Sequence, residues 1–170
     1  AMTRTKGVLQ HGVSALVGVT KPISRFDHSL GAMILVRLLG ASLEEQIAAL
    51  LHDVSHTAFS HVIDYVFDGH DTQGYHEEHK LEFVAKTDIP ARLAHFGYNW
   101  EHFMEEADYT LLEQDLPHLC ADRLDYFLRD ALDLRLTTPR EVDKALKNLT
   151  THQGRIVVTD LPIARWLGYT

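Results

Sequence analysis

The sequence has little of what marks several common protein classes. It contains one cysteine, Cys120, among 170 residues, so it has no internal disulfide framework and we expect an intracellular protein, cytoplasmic or nuclear. No apolar run approaches the roughly 20 residues of a membrane-spanning helix. Lysine and arginine number 16 against 24 acidic residues, and the formal net charge of -8 argues against an extended nucleic-acid surface. We expect a globular protein without a membrane partner, and a homo-oligomer remains open.

Apolar spacing predicts an all-α fold, a helical bundle with a small β-hairpin near the C-terminus. Ser24 precedes one helical pattern, and Ser42 with Glu45 three residues later forms the composition of a capping box before the next. Further helices are predicted at about residues 59–67 and 76–86, and from residues 89, 115, 139 and 161. A loop is predicted at 68–75, and the one strand at 155–159.

The length predicts a single domain over residues 1–170. Its core would cover about residues 6–135, and residues 136–170 would add a helix, the short strand and the start of a last helix. Ala1-Met2 resembles a start methionine behind a tag remnant. The end at Thr170, inside a predicted helix, indicates a piece of a longer protein or an element that another chain completes.

Histidine is unusually frequent, with 12 in the chain, and seven of them lie between His28 and His79. His28, the pair His52-Asp53, and Asp122 each fall on or beside a predicted helix. Imidazole nitrogen and carboxylate oxygen together suit a divalent metal ion, and helices of a bundle can bring distant residues to one point. We therefore predict one divalent ion, with Mn, Fe, Mg, Ni and Zn all compatible.

A histidine followed by an aspartate is common by chance, so His52-Asp53 alone identifies no site. Its context favours a metal, because residues 47–51 before it form an apolar helix face. A charged aspartate buried there without a partner would be costly, and a cation is a partner that also accounts for the other histidines.

Three segments carry a resemblance to a known family. They are RFDHSLG at residues 25–31, ALLHDVSHTAFSH at 49–61 and DRLDYFLRD at 122–130. In this order they resemble the HD-domain metal-dependent phosphohydrolases, most closely the branch that contains the deoxynucleoside-triphosphate triphosphohydrolases. The resemblance covers about residues 6–135 and implies the HD-domain helical bundle.

The resemblance also implies roles for individual residues. The metal ligands would be His28, His52, Asp53 and Asp122. Catalytic residues near the scissile phosphate would be His61, Asp64 and His76, with His76 as general acid and Asp64 setting its tautomer. The substrate-binding residues would be Gln10, Arg25, His56, Arg123, Tyr126 and Asp130. A second metal would need a further ligand, and His56 and His61 are the candidates.

The predicted function is therefore a metal-dependent phosphohydrolase in which a metal-activated water attacks a nucleotide or another small phosphate ester. The alternative is an HD-fold nucleotide-binding or interaction module with weak or no catalysis. The acidic stretch 101–108 is interpreted as a solvated helix face, and Cys120 as a packed apolar residue.

Overall fold

The computed structural model describes residues 1–59, 63 and 79–169. Within them the chain is mainly helical, which confirms the predicted fold class. The α-helices are Val13–Leu16 (α1), Arg25–Leu38 (α2), Leu43–Leu51 (α3), Lys80–Ala85 (α4), Ile89–His95 (α5), Ala121–Asp133 (α6), Pro139–Lys147 (α7) and Leu161–Tyr169 (α8). Short 3-10 helices cover Met2–Gly7, Trp100–Phe103 and Glu106–Asp108.

A two-stranded antiparallel sheet forms the predicted hairpin. Its strands are Leu149–His152 (β1) and Arg155–Val158 (β2), and Leu149 lies opposite Val158. The predicted helix at 59–67, the loop at 68–75 and the start of the helix at 76 fall wholly or largely outside the described residues. Among the described helices, none combines the length and the apolar composition that crossing a membrane requires.

Helix α2 lies at the centre of the packing, against α3 on one side and α6 on the other. Small apolar residues, including Ala32 of α2 and Ala48 and Ala49 of α3, are fully buried at this contact. Small side chains let helix axes approach closely, so polar side chains on α2, α3 and α6 can meet. The core continues to Phe103 and Leu112.

The start of α2 agrees with the sequence. The Ser24 hydroxyl accepts a hydrogen bond from the Asp27 backbone N–H at 3.1 Å, as an N-cap does. Strand-like pairing between Leu9 and Ser24 holds the N-terminal segment beside this helix, and the Gln10 backbone N–H donates to the Ile23 carbonyl at 2.8 Å. This pairing places Gln10 next to Arg25.

Glu45 has a different role from the one that the capping-box pattern predicts. The Ser42 hydroxyl does accept from the Glu45 backbone N–H at 3.1 Å. The Glu45 carboxylate, however, accepts from the backbone N–H groups of Leu111 and Leu112, at 2.7 and 3.3 Å. Glu45 therefore fixes a segment that packs against the start of α6.

The predicted helix start at Asp115 is wrong. Residues 115–118 form a turn, and the backbone is extended at Cys120, so α6 begins only at Ala121. The carbonyls of Leu111 and Leu112 accept the first N–H groups of α6, at 2.8 and 3.2 Å. A proline is common both in turns and at helix starts, which is why the sequence misplaced this boundary.

Candidate metal centre

His28 occupies the first turn of α2 and is fully buried. Its Nδ1 lies 2.8 Å from Oδ2 of Asp125, and its Nε2 lies 2.7 Å from Oδ1 of Asp122. Asp122 and Asp125 are three residues apart on α6, so they reach the two nitrogens of one ring. An Nδ1–H donated to Asp125 leaves the Nε2 lone pair directed at Asp122.

His52 follows the last residue of α3 and is also buried. Its Nδ1 lies 2.7 Å from the Ala49 carbonyl, which can only accept, so Nδ1 carries a hydrogen. Its Nε2 lies 3.3 Å from the Nε2 of His28 and 3.4 Å from Oδ1 of Asp122. Two ring nitrogens and a carboxylate oxygen therefore face one another.

Asp53 completes the cluster. Its Oδ2 lies 3.8 Å from the Nε2 of His28 and 3.7 Å from the Nε2 of His52. The guanidinium of Arg25 donates to both oxygens of Asp53 at 2.9 Å, and the Nε2 of His56 lies 3.0 Å from Oδ1. All these groups are buried, so Asp53 has two further partners that balance its charge.

The donor set of this cluster suits a divalent cation. Atoms of His28, His52, Asp53 and Asp122 converge from three chain segments, and the ring nitrogens that face away are held by Asp125 and a carbonyl. Metal-binding imidazoles are oriented in this manner in proteins, with the second nitrogen donating to a carboxylate or carbonyl. The family and the cluster around His28, His52 and Asp53 together indicate a divalent metal ion.

The electrostatics of the cluster are those of groups that need a cation. Burial opposes the ionisation of Asp122, but the adjacent His28 and His52 outweigh it and hold the pKa of Asp122 below its usual range. Burial likewise disfavours charge on Asp53, and His52, His56 and Arg25 lower its pKa well below the usual value. Both carboxylates are therefore ionised at neutral pH.

The histidines shift in the opposite direction. Burial lowers the pKa of His52, but Asp53 and Asp122 outweigh burial and raise this pKa to about 10. Hydrogen bonds to Asp122 and Asp125 raise the pKa of His28 despite its burial. In the metal-free protein the cluster therefore retains protons that a cation would replace.

Gly31 explains how Asp125 reaches His28. A Cβ atom at Gly31 would lie 1.9 Å from Oδ1 of Asp125 and 2.6 Å from an Arg129 nitrogen. Asp125 is fixed, because its Oδ2 contacts both His28 and the Nε of Arg129 at 2.8 Å. Helices α2 and α6 can therefore approach this closely only where α2 has no side chain.

A cavity of about 390 Å³ opens onto the cluster. Three of the predicted substrate-binding residues, Gln10, Arg25 and Tyr126, line it, and so does His56. The remaining described lining residues are His52, Asp53, Asp122, Glu105, Glu106 and Glu113.

The three glutamates were missed by the sequence interpretation. Residues 101–108 do not form a solvated helix face, since Glu105 and Glu106 line the cavity. Nothing in their spacing indicates this position, because they follow an irregular chain path between two short 3-10 helices.

Two predicted substrate-binding residues lie elsewhere. Arg123 donates to Glu113 at 2.8 Å and to the His118 carbonyl at 2.9 Å, and it lines a separate apolar cavity of about 220 Å³. Asp130 contacts the Nε2 of His11 at 2.8 Å and is not among the described lining residues. The predicted catalytic residues lie outside the described residues: His61, Asp64 and His76.

Comparison with known proteins identifies the family. The HD domain model matches residues 25–130, which span the three motifs and all four residues of the cluster. The chain belongs to the HD domain family. The resemblance to the HD superfamily is thereby confirmed, and its all-helical fold agrees with the observed one.

Two curated relatives match this HD domain over almost its whole length. Metal-dependent phosphohydrolase cns2 of Cordyceps militaris is 42% identical over 167 residues, which is 95% of this chain and 48% of the relative. Uncharacterized protein YdhJ of Bacillus subtilis is 42% identical over 164 residues, 96% of this chain and 50% of the relative. The chain thus spans about half the length of these relatives.

Solved structures share the fold. A hypothetical protein from Aquifex aeolicus superposes with a TM-score of 0.66 at 23% identity, over 98% of this chain and 49% of that one. A phosphohydrolase (BT4208) from Bacteroides thetaiotaomicron gives a TM-score of 0.50 at 24% identity, over 92% and 42%. At these identities the likeness concerns the HD fold alone.

Proposed function

We propose that this chain is the catalytic domain of a metal-dependent phosphohydrolase that acts on a nucleotide or another small phosphate ester. The convergence of two imidazoles and two carboxylates at the base of an open cavity carries the proposal. The name of the relative cns2 supports it. Deoxynucleoside triphosphates are one candidate within this substrate class, on the strength of the motif resemblance.

The metal ligands would be His28, His52, Asp53 and Asp122. A divalent ion bound by them would supply Lewis acidity, which lowers the pKa of a coordinated water and offsets phosphate charge. Asp125 and the Ala49 carbonyl orient the two rings toward the cluster.

The other predicted residues would act on the substrate. Arg25 and His56 hold Asp53 in place and also face the cavity, where they can donate to a phosphate oxygen. Gln10 and Tyr126 line the cavity and would bind the alcohol part of the ester. His61, Asp64 and His76 remain the proposed proton-transfer residues, with His76 protonating the leaving oxygen.

A metal add-back assay tests this function. The protein is stripped with a chelator, each candidate divalent ion is restored separately, and bound metal and phosphate release are measured over a panel of nucleotides and simple esters. We expect release that requires metal and is lost in Asp122→Asn. The matched control Asp143→Asn alters an exposed carboxylate that pairs with Lys147 and should behave as wild type.

The alternative function, a binding module, gives a different result in the same assay. The wild-type protein would then bind metal stoichiometrically and release phosphate from none of the esters. That outcome would overturn the enzymatic proposal while leaving the metal assignment intact.

A further inference from the structure

The wall of the cavity is strongly acidic. Its described lining includes one cationic side chain of the lysine or arginine type, Arg25, against five carboxylates. They are Asp53, Asp122, Glu105, Glu106 and Glu113. A cavity that holds a polyanion would be expected to present the opposite balance.

The nearby cations are already matched to these carboxylates. Arg25 pairs with Asp53 at 2.9 Å. Arg123 pairs with Glu113 at 2.8 Å, and buried Lys80 pairs with Glu106. A phosphate chain that entered the cavity would have to compete with these carboxylates for each of the three cations.

The segment outside the described residues does not change this balance. Residues 60–62 and 64–78 contain neither lysine nor arginine. They contribute the histidines already considered, and their acidic residues are Asp64, Asp68, Asp71, Glu77 and Glu78. From this chain, the segment can therefore add no side chain with a permanent positive charge.

We infer that the cavity selects a phosphate monoester and discriminates against di- and triphosphate chains, an inference that rests on the proposed function. A monoester phosphate carries about two negative charges, which a divalent ion offsets. Each further phosphoryl group adds negative charge that must lie near Glu105, Glu106 or Glu113. Repulsion between like charges is strong in a partly buried cavity, where water screens it less than in bulk.

The alcohol part of the substrate would carry hydrogen-bond donors. Within the described chain, the side-chain oxygen of Gln10 is buried at this cavity without a hydrogen-bond partner. An amide oxygen can only accept, and the carboxylates of the wall are acceptors too. Hydroxyl or amino groups on the substrate would satisfy them, as in a sugar or nucleoside monophosphate.

The test compares the mono-, di- and triphosphate of one nucleoside with metal-loaded protein at fixed free-metal concentration. Initial rates give kcat/KM, and calorimetry gives Kd for phosphate, pyrophosphate and tripolyphosphate. We expect the monophosphate to exceed the triphosphate in kcat/KM by at least about tenfold, and phosphate to bind more tightly than tripolyphosphate.

Charge-neutral variants locate the cause. Glu105→Gln and Glu113→Gln should each reduce the preference for the monophosphate by about threefold or more. Glu101→Gln, in the same acidic stretch but outside the described cavity lining, should leave the preference unchanged.

The outcomes separate the two proposals. A triphosphate preference in the wild type, or an unchanged preference in both wall variants, would overturn the monoester inference while phosphohydrolase activity stands. Absence of hydrolysis for every nucleotide would overturn the proposed function instead. The binding order of the three inorganic phosphates, in the wild type and the wall variants, would then decide the charge inference alone.

Discussion

Asp125 holds His28 from behind, with its Oδ2 2.8 Å from the ring nitrogen that faces away from the cluster. This contact fixes both the orientation of the ring and the nitrogen that carries the hydrogen. Asp125 is neither a predicted ligand nor exposed to the cavity, so its effect on the site would pass through His28 alone.

Asp125→Asn should weaken metal binding by about 10- to 100-fold, because it removes the charge that orients His28. Calorimetric titration of the stripped protein with the preferred metal measures the change. Asp133→Asn is the control, since this carboxylate lies at the end of the same helix and pairs with Lys21 at 2.6 Å. Equal affinities in the wild type and Asp125→Asn would show that the contact does not matter.

Gly31→Ala should also weaken metal binding, by about tenfold or more, because the new methyl group must displace Asp125. Overpacking at this helix contact should also cost about 1–3 kcal/mol of unfolding free energy. Gly168→Ala, where a Cβ would meet nothing within 4 Å, is the matched control. Metal titration and thermal unfolding measure both effects, and a Gly31→Ala protein that matches the control in both would contradict the prediction.

Asp53→Ala and Asp122→Ala should both abolish stoichiometric metal binding, but they should differ in stability. Loss of Asp53 leaves the guanidinium of Arg25 buried without its carboxylate, which costs roughly 3–5 kcal/mol. The Asp122 side chain is 24% exposed, so its removal should cost less. Metal analysis and chemical denaturation of the stripped proteins test this, and metal retained at wild-type stoichiometry in either variant would contradict the ligand assignment.

The stability of the metal-free protein should fall as the pH rises. The pKa of His52 is about 10 in the folded chain, against 6.5 for an ordinary histidine. Protonated His52 therefore stabilises the fold fully below about pH 6.5, and this contribution is lost as the pH rises toward 10. Thermal unfolding of chelated protein across this range should show the loss in the wild type and a smaller one in His52→Gln.

His152→Gln is the control for this pH dependence, because His152 is exposed on β1. It should retain the wild-type profile. A wild-type melting temperature that rises between pH 6.5 and 10, relative to His52→Gln, would refute the assignment.

His76→Ala should leave the metal in place and slow hydrolysis by about 100-fold or more, as expected for loss of a general acid. Metal content and turnover on the best ester of the panel measure the two effects, with His152→Gln again as control. Unchanged turnover would make His76 a bystander.

The sequence predicted the parts of this structure that depend on local pattern. Ser24 caps α2 as expected, and the Thr138 and Glu141 side chains form a full capping box at α7. His28 and His52-Asp53 were found because residue type and order along the chain carry the signal.

Features that depend on distant contacts could not be predicted in the same way. The Glu45 carboxylate contacts backbone 66 positions away, and nothing near Ser42 indicates this. The irregular path through Glu105 and Glu106 has no periodicity that would show which side faces the cavity. Arg123 was assigned to the substrate from its neighbour Asp122, yet adjacent helix residues point in different directions, and Arg123 pairs with Glu113 instead.

The cluster joins chain positions that are far apart, since His28 and Asp122 are separated by 94 positions. An unfolded chain does not hold these groups together, so an ion bound by them acts as a removable cross-link between α2, the end of α3 and α6. By mass action, folding and ion occupancy then reinforce one another, and the melting temperature rises with the free ion concentration. Starvation for the ion would shorten the lifetime of the protein as well as its activity.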